Sequence, residues 1–250
     1  MEVHAHAHTP RRKWTHYFWE FLMLFLAVFC GFLAEYQLEH MIEKTREKQY
    51  MESMLEDLRS DTTTLNWVII RATAMQKGLD SLKDYLYNVD EAVKNTDVIY
   101  KLDRAYTRSI IILLNDQTST QLLNSGNMRL IRKRKVVNAI SAYLKNSNNV
   151  EFSAKNFNAA VTEKYQQANN IFNRKYYTRI SRDPSTGINS YFTSPDVKLM
   201  TNDGPLLISY ANTIDRLVES IDKYIIPQLN NLKLKGIELM ELIKNEYHLK

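Results

Sequence analysis

Three histidines near the start, His4, His6 and His8, alternate with alanine and are the residues best suited by type and spacing to hold a metal. In an extended chain all three imidazoles fall on one side; in a helix only His4 and His8 would. Histidine-rich tracts of this kind take up Zn, Cu or Ni. Ordering a short tail costs entropy, and no neighbouring group is in sight to orient the rings, so such a site would be weak and unselective. The competing reading is a solvated tail. The remaining histidines, His16, His40 and His248, lie too near the ends of the 250-residue chain to serve a triad in the domain between them. None of the glycine-rich phosphate loops, the G-x-S-x-G elbow or the H-E-x-x-H metal motif occurs. Carboxylates are plentiful, but nothing in their spacing singles out a catalytic pair. No cofactor and no enzymatic activity are expected.

The most distinctive local string is TSTQLLNSGNMRLI, Thr118–Ile131. Thr118 or Ser119 can cap a short helix, and Gly126 suits the left-handed position that ends one. Arg129, Arg132, Lys133, Arg134 and Lys135 follow closely. Together they are a candidate surface for phosphates, anionic glycans or lipid headgroups, against the plainer reading of a solvated helix face. Tyr191 and Phe192 are a second candidate: they pack back on the domain or present an aromatic contact to a partner.

These groups need elements to hold them. Apolar residues make up 44% of the chain and charged residues 24%, with only six glycines and five prolines, a composition that supplies a real core and argues against a loop-rich or β-rich fold. A net charge of +5, with both signs interleaved, gives no reason to expect nucleic acid as a partner. Cys30 is the single cysteine, so no disulfide framework or Cys-based zinc site is possible.

Phe21–Ala34 is an uninterrupted uncharged run, extended by Tyr17, Phe18, Trp19 and Tyr36. Crossing ~30 Å of hydrocarbon takes about 20 residues at 1.5 Å each, which the window 17–36 supplies. Glu20 and Glu35 then fall at headgroup level beside the aromatic flanks. Arg11, Arg12 and Lys13 ahead of the run also fit a cleaved signal peptide. Bulky Phe32 stands where such a cleavage site wants a small side chain, however, and a core helix would show a polar face. The basic residues closest to the span lie before it. This predicts a cytoplasmic N-terminal tail (1–16), a transmembrane helix (17–36) and a periplasmic main domain. Ala27 and Gly31 form a small-residue pair of the kind that lets helices approach.

Beyond the span, 37–50 reads as a charged helical stalk. Met51, Leu55, Leu58, Thr62, Leu65, Ile69 and Ala72 then follow a 4-3-4-3 spacing, the seam of a coiled coil or bundle, open either to a second copy or to the chain's own later helices. Met75, Leu79, Leu82, Leu86 and Val89 continue it. Helices are also expected over Val98–Leu114, despite the strand-like run Ile110–Leu114, and over Val136–Leu144, ended by an Asn/Ser turn at 146–149. Phe157, Val161, Tyr165, Ala168, Phe172 and Tyr176 mark a long helix with an aromatic stripe. Residues 181–205 carry three prolines, two glycines and turn signals, and read as one long irregular segment. Tyr210 to Tyr224 is helical again, with Pro227 expected to kink or interrupt it before a last segment to Tyr247.

The string Glu20–Glu35, the HxHxH tail, R-E-K-Q-Y-M-E-S-M-L-E-D-L (Arg46–Leu58) and L-L-N-S-G-N-M-R-L-I (Leu122–Ile131) resemble an uncharacterised family of single-span proteins from Bacteroidota-type bacteria. The likeness covers roughly the first 145 residues and implies a membrane-anchored protein of a Gram-negative envelope. It carries no ligand, partner or catalytic residue. The expectation is therefore an all-α protein: one N-terminal transmembrane helix continuing into a helical bundle (51–250). It would sit in the inner membrane and bind a protein partner or its own copies. A second reading is a sensor-like domain that takes a ligand between its helices and signals through a partner. A carboxylate-based enzyme is a third.

Overall fold

The computed structural model describes residues 14–194 and 196–249, so His4, His6 and His8, with Arg11, Arg12 and Lys13, lie outside the described residues. One compact unit ends at Gln49 and a second runs Tyr50–Lys250.

The first helix, α1, spans Trp14–Tyr87. No proline falls between Pro10 and Pro184, so nothing in the sequence forces it to break. In the first unit none of its side chains from Trp14 to Leu33 is buried and all but half-exposed Leu22 are exposed, with Phe21, Phe25 and Phe29 stacked one turn apart at 6.3 and 5.8 Å. This part is long and apolar enough to cross a membrane.

The second unit is built on the remainder of α1. Met51, Leu55, Leu58, Leu65 and Ala72 are buried, Ile69 is half-buried, and Met75, Leu79, Leu82 and Leu86 carry the seam onward with no exposure at all. The chain's own later helices cover them. Asp61 binds the Tyr143 hydroxyl, Lys233 reaches Asn66, and Lys83 reaches Asp215. The proposed oligomer seam is therefore an internal seam: its apolar stripe is already spent on the core.

Short helices α2 (Val89–Lys94, capped by the Asn88 side chain) and α3 (Thr96–Tyr106) follow. Helix α3 stops eight residues short of the expected Leu114. Residues 107–116 are not helical and are held by Asn158, whose side chain exchanges two bonds with the backbone of Ile110 at 2.8 and 2.9 Å. Ile110 faces the core while Ile111 and Leu113 face out, the period-2 alternation of an extended chain. Helix α4 (Gln117–Asn124) ends before Gly126, which takes the left-handed conformation (φ 67°) expected of it.

Helix α5 (Arg134–Ala168) runs straight through 146–149, where a turn was expected. Ser147 and Val150 are buried there, and Asn146 bonds its own helix at Ala142 and accepts from Asn231. Tertiary contacts override the local turn preference of Asn and Ser. The aromatic stripe divides: Phe157, Val161 and Ala168 lie on α5, but Phe172 and Tyr176 lie past its end, Phe172 buried against Tyr100.

The segment 181–205 is less irregular than its composition implies. It contains most of an antiparallel hairpin, β1 (Tyr177–Arg182) with β2 (Asn189–Thr193). Its register breaks between Arg179 and Ser181, leaving Ile180 as a bulge exposed on the outside. Helices α6 (Gly204–Ser220) and α7 (Ile226–Tyr247) close the bundle, joined by a single π-turn at Ile221–Ile225. Pro227 accounts for that turn. Its ring would strike the carbonyl four residues back, and a wider turn moves that carbonyl away without ending the helix. Helix α5 packs against both α6 and α7, and β2 lies on α3.

Candidate functional site

The hairpin roofs the side of the bundle where α1, α3 and the extended segment 107–116 meet. Tyr191 and Phe192 are neighbours on β2 and so point to opposite faces. Tyr191 is buried, and its hydroxyl accepts from Arg108, while Phe192 is 56% exposed. The two readings of this pair each hold for one residue. On one flank of the hairpin a cavity of about 450 Å³ is lined by Ala74, Leu102, Tyr106, Ile188 and Tyr191 among others. On another, about 310 Å³ lies between α1 (Trp67, Val68, Arg71), the extended segment (Ile111, Leu113) and Arg182 at the end of β1.

Arginines gather at this second cleft. The Arg71 guanidinium lies 5.5 Å over the Trp67 ring. Gly187, in the hairpin turn at φ +68°, brings the charges together. At the place where a side chain would begin, Arg182 Nη2 is 3.1 Å away, Arg71 Nη1 3.3 Å and Trp67 Cζ2 2.8 Å. Glycine is required here twice over, by the backbone angle and by the space. Among the described residues no carboxylate pairs with Arg71, Arg108 or Arg182, and the buried Nε of Arg108 meets no acceptor. The nearest acid in sequence, Asp183, bonds Ser185 and Thr186 instead, at 2.8 and 2.7 Å, and so shapes the turn. Burial, and then repulsion from Arg182 and Arg108, push the Arg71 guanidinium below its ordinary value.

Behind the cleft lies a buried polar knot. Lys164, without any exposure, donates to Asp103 and, at 2.9 Å, to the Thr107 hydroxyl; the Tyr210 hydroxyl also donates to Asp103. Burial is the largest influence on Lys164 and lowers its ammonium below the usual lysine range. Asp103 works against that shift, while Arg104 and Arg108 add to it. Asp103 is the acid that buried Lys164 pairs with, and Arg104 and Arg108 lie close enough to oppose the ammonium's charge.

Compared with known proteins, the chain matches no family model, no curated protein and no solved structure.

The carboxylates closest to a catalytic pair are Asp57 and Asp61, one turn apart on α1 and both buried. Both accept hydrogen bonds that serve the fold. Asp57 accepts from the Thr118 backbone at 3.1 Å, and Asp61 accepts from the Asn115 backbone and the Tyr143 hydroxyl, both at 2.7 Å. These bonds fix the start of α4, whose first N–H groups have no partner of their own. Burial raises the Asp61 carboxyl above the usual range despite those donors, and raises the Tyr143 hydroxyl as well.

Of the basic run, Lys133 is committed to the end of α7, paired with Glu246 at 3.1 Å and lying 4.7 Å over the Tyr247 ring. Arg129, Arg132, Arg134 and Lys135 are exposed, on a short 3-10 turn (Asn127–Leu130), the residues just after it and the first turn of α5. The run therefore does not form one convergent site. The arginines that do converge were not found from sequence: Arg71, Arg108 and Arg182 are spaced too widely along the chain for any local pattern to join them.

Proposed function

We propose that the protein is a non-enzymatic, membrane-anchored binding protein: a single span in the inner membrane of a Gram-negative envelope, its N-terminus cytoplasmic, holding a periplasmic helical domain that receives another molecule at the hairpin-roofed cleft. The observation that carries this reading is the cleft itself. Arg71 and Arg182 converge there over an apolar floor, and among the described residues no carboxylate pairs with them, where an ordinary fold would pair or disperse such charges. The resemblance of Glu20–Glu35 and Leu122–Ile131 to single-span envelope proteins supports the location. A domain that receives a ligand in this way acts through a partner.

The test is photo-crosslinking in intact cells, with a benzophenone amino acid placed at Leu113 on the cleft rim or at exposed Tyr224 on the π-turn. The reading expects discrete adducts from Leu113 and none from Tyr224. Equal labelling, or none from either, contradicts it.

A second reading has its own observation. Ile111, Leu113, Ile180 and Phe192, each more than half exposed, ring the same end of the domain. Apolar and arginine side chains together have the composition of a protein docking surface. Adducts of protein mass from Leu113 would favour this reading, and adducts of small mass the first.

A further inference from the structure

We propose that the cleft between Trp67, Arg71, Ile111, Leu113 and Arg182 binds a small soluble amphiphilic anion: an apolar chain that ends in a carboxylate, sulfate or phosphate. This rests on the reading of the cleft as a binding site and gives its occupant a chemistry.

Size comes first. A cavity of about 310 Å³ is at the small end of the range for ligand sites, enough for a short chain and a headgroup. Its lining supplies both halves. Val68, Ala72, Ile110, Ile111 and Leu113 give an apolar wall, and the Trp67 ring extends it. Arg71 and Arg182 give the charged end, their guanidinium nitrogens 3.3 and 3.1 Å from one point above Gly187. A guanidinium is a planar fork of donors that matches two oxygens of one anion. Two such forks at one spot repel each other, and an anion between them relieves the repulsion. A neutral or cationic ligand would leave it in place. A purely inorganic anion would leave the apolar wall wet. The amphiphile satisfies both.

The experiment uses the full chain in phosphatidylcholine nanodiscs, with Trp14→Phe and Trp19→Phe so that Trp67, the only other tryptophan of the three, reports alone. Octanoate is titrated while Trp67 emission is followed, with octanol and acetate as arms that lack the charge or the chain. A saturable octanoate response is expected, with octanol and acetate each at least about tenfold weaker. Arg71→Gln and Arg182→Gln should each weaken octanoate by about tenfold, the loss of one charged hydrogen-bonded contact. Arg182 is exposed at a strand end, so that variant tests the idea even if Arg71→Gln disturbs the fold. Octanol binding as well as octanoate would overturn the proposal, as would octanoate binding unchanged in both variants, or no saturable response. Repeating the titration in phosphatidylglycerol nanodiscs separates sources: unchanged affinity supports a soluble ligand, and competition by the lipid overturns it. Failure here leaves crosslinking at Leu113 untouched, so the two readings fall separately.

Discussion

Lys164 is the residue whose energetics are most exposed to test. It is wholly buried, and its partners are Asp103, Thr107 and the electron-rich faces of Tyr165 and Tyr210, 5.1 and 5.3 Å away. Removing one partner of a buried pair strands the other charge, which costs about 3–5 kcal/mol. Lys164→Met should therefore lower unfolding free energy by roughly that amount in urea titrations. Adding Asp103→Leu should recover much of it, because an apolar pair leaves no stranded charge. The pH dependence has a definite sign. A lysine whose folded pKa lies below 10.5 binds its proton more readily when unfolded. Its contribution to stability is complete above about pH 10.5, and is lost as pH falls toward the depressed folded value. As pH falls below about 10.5 the wild type should lose stability by a component that the double variant lacks. At Gly187 a side chain meets Trp67 and both guanidinium groups in a backbone conformation that disfavours it. Gly187→Ala should cost about 1–3 kcal/mol and spread the arginines, lowering Tm and loosening the cleft together.

At the scale of elements, the packing of α1 against α3 turns on one missing methyl group. A Cβ at Gly78 would run into the ring of Tyr106. Gly78→Ala, ordinarily stabilising in a helix by up to about 1 kcal/mol, should here destabilise by about 1–3 kcal/mol through overpacking. Tyr106→Ala in the same chain should remove that penalty, and thermal unfolding of the two variants and their combination checks it. Which elements could be read in advance follows the physics of each. The seam from Met51 to Leu86 was legible because one long helix buries one stripe, and the apolar run before it was legible because no polar face interrupts it. Residues 107–116 were not, since Ile110–Leu114 is equally apolar as helix or strand and the choice is made by Asn158 from another helix. The turn expected at 146–149 was lost for the same reason: Asn and Ser prefer turns only where nothing is packed on them, and Ser147 is buried. In the hairpin the turn signals within 181–205 were plain, but strands as polar as YTRISR and NSYFT give no clear alternation. The cleft was least legible of all. Its residues come from α1, the extended segment and β1, and no periodicity predicts which arginines a fold will leave side by side.

For the molecule as a whole, two properties meet in one chain: a segment with no buried side chain over Trp14–Leu33, and a domain whose core is closed within the chain. The second buries Met51, Leu55, Leu58 and Leu65 of the seam within the chain itself. The first is long and apolar enough to cross a membrane, and the proposed anchor rests on it. The proposed orientation is tested with Cys30→Ser to clear the only native thiol, and Tyr224→Cys at an exposed position as a probe. A membrane-impermeant maleimide applied to cells with a permeabilised outer membrane should label Tyr224→Cys without lysis. Labelling only after lysis would place the domain in the cytoplasm. The most direct test of the anchored domain is fractionation of the full-length protein through an alkaline carbonate wash. It should stay with the membranes and enter solution only with detergent, and deletion of residues 17–36 should release it. Recovery of the intact chain from the aqueous phase without detergent would contradict the account at its root.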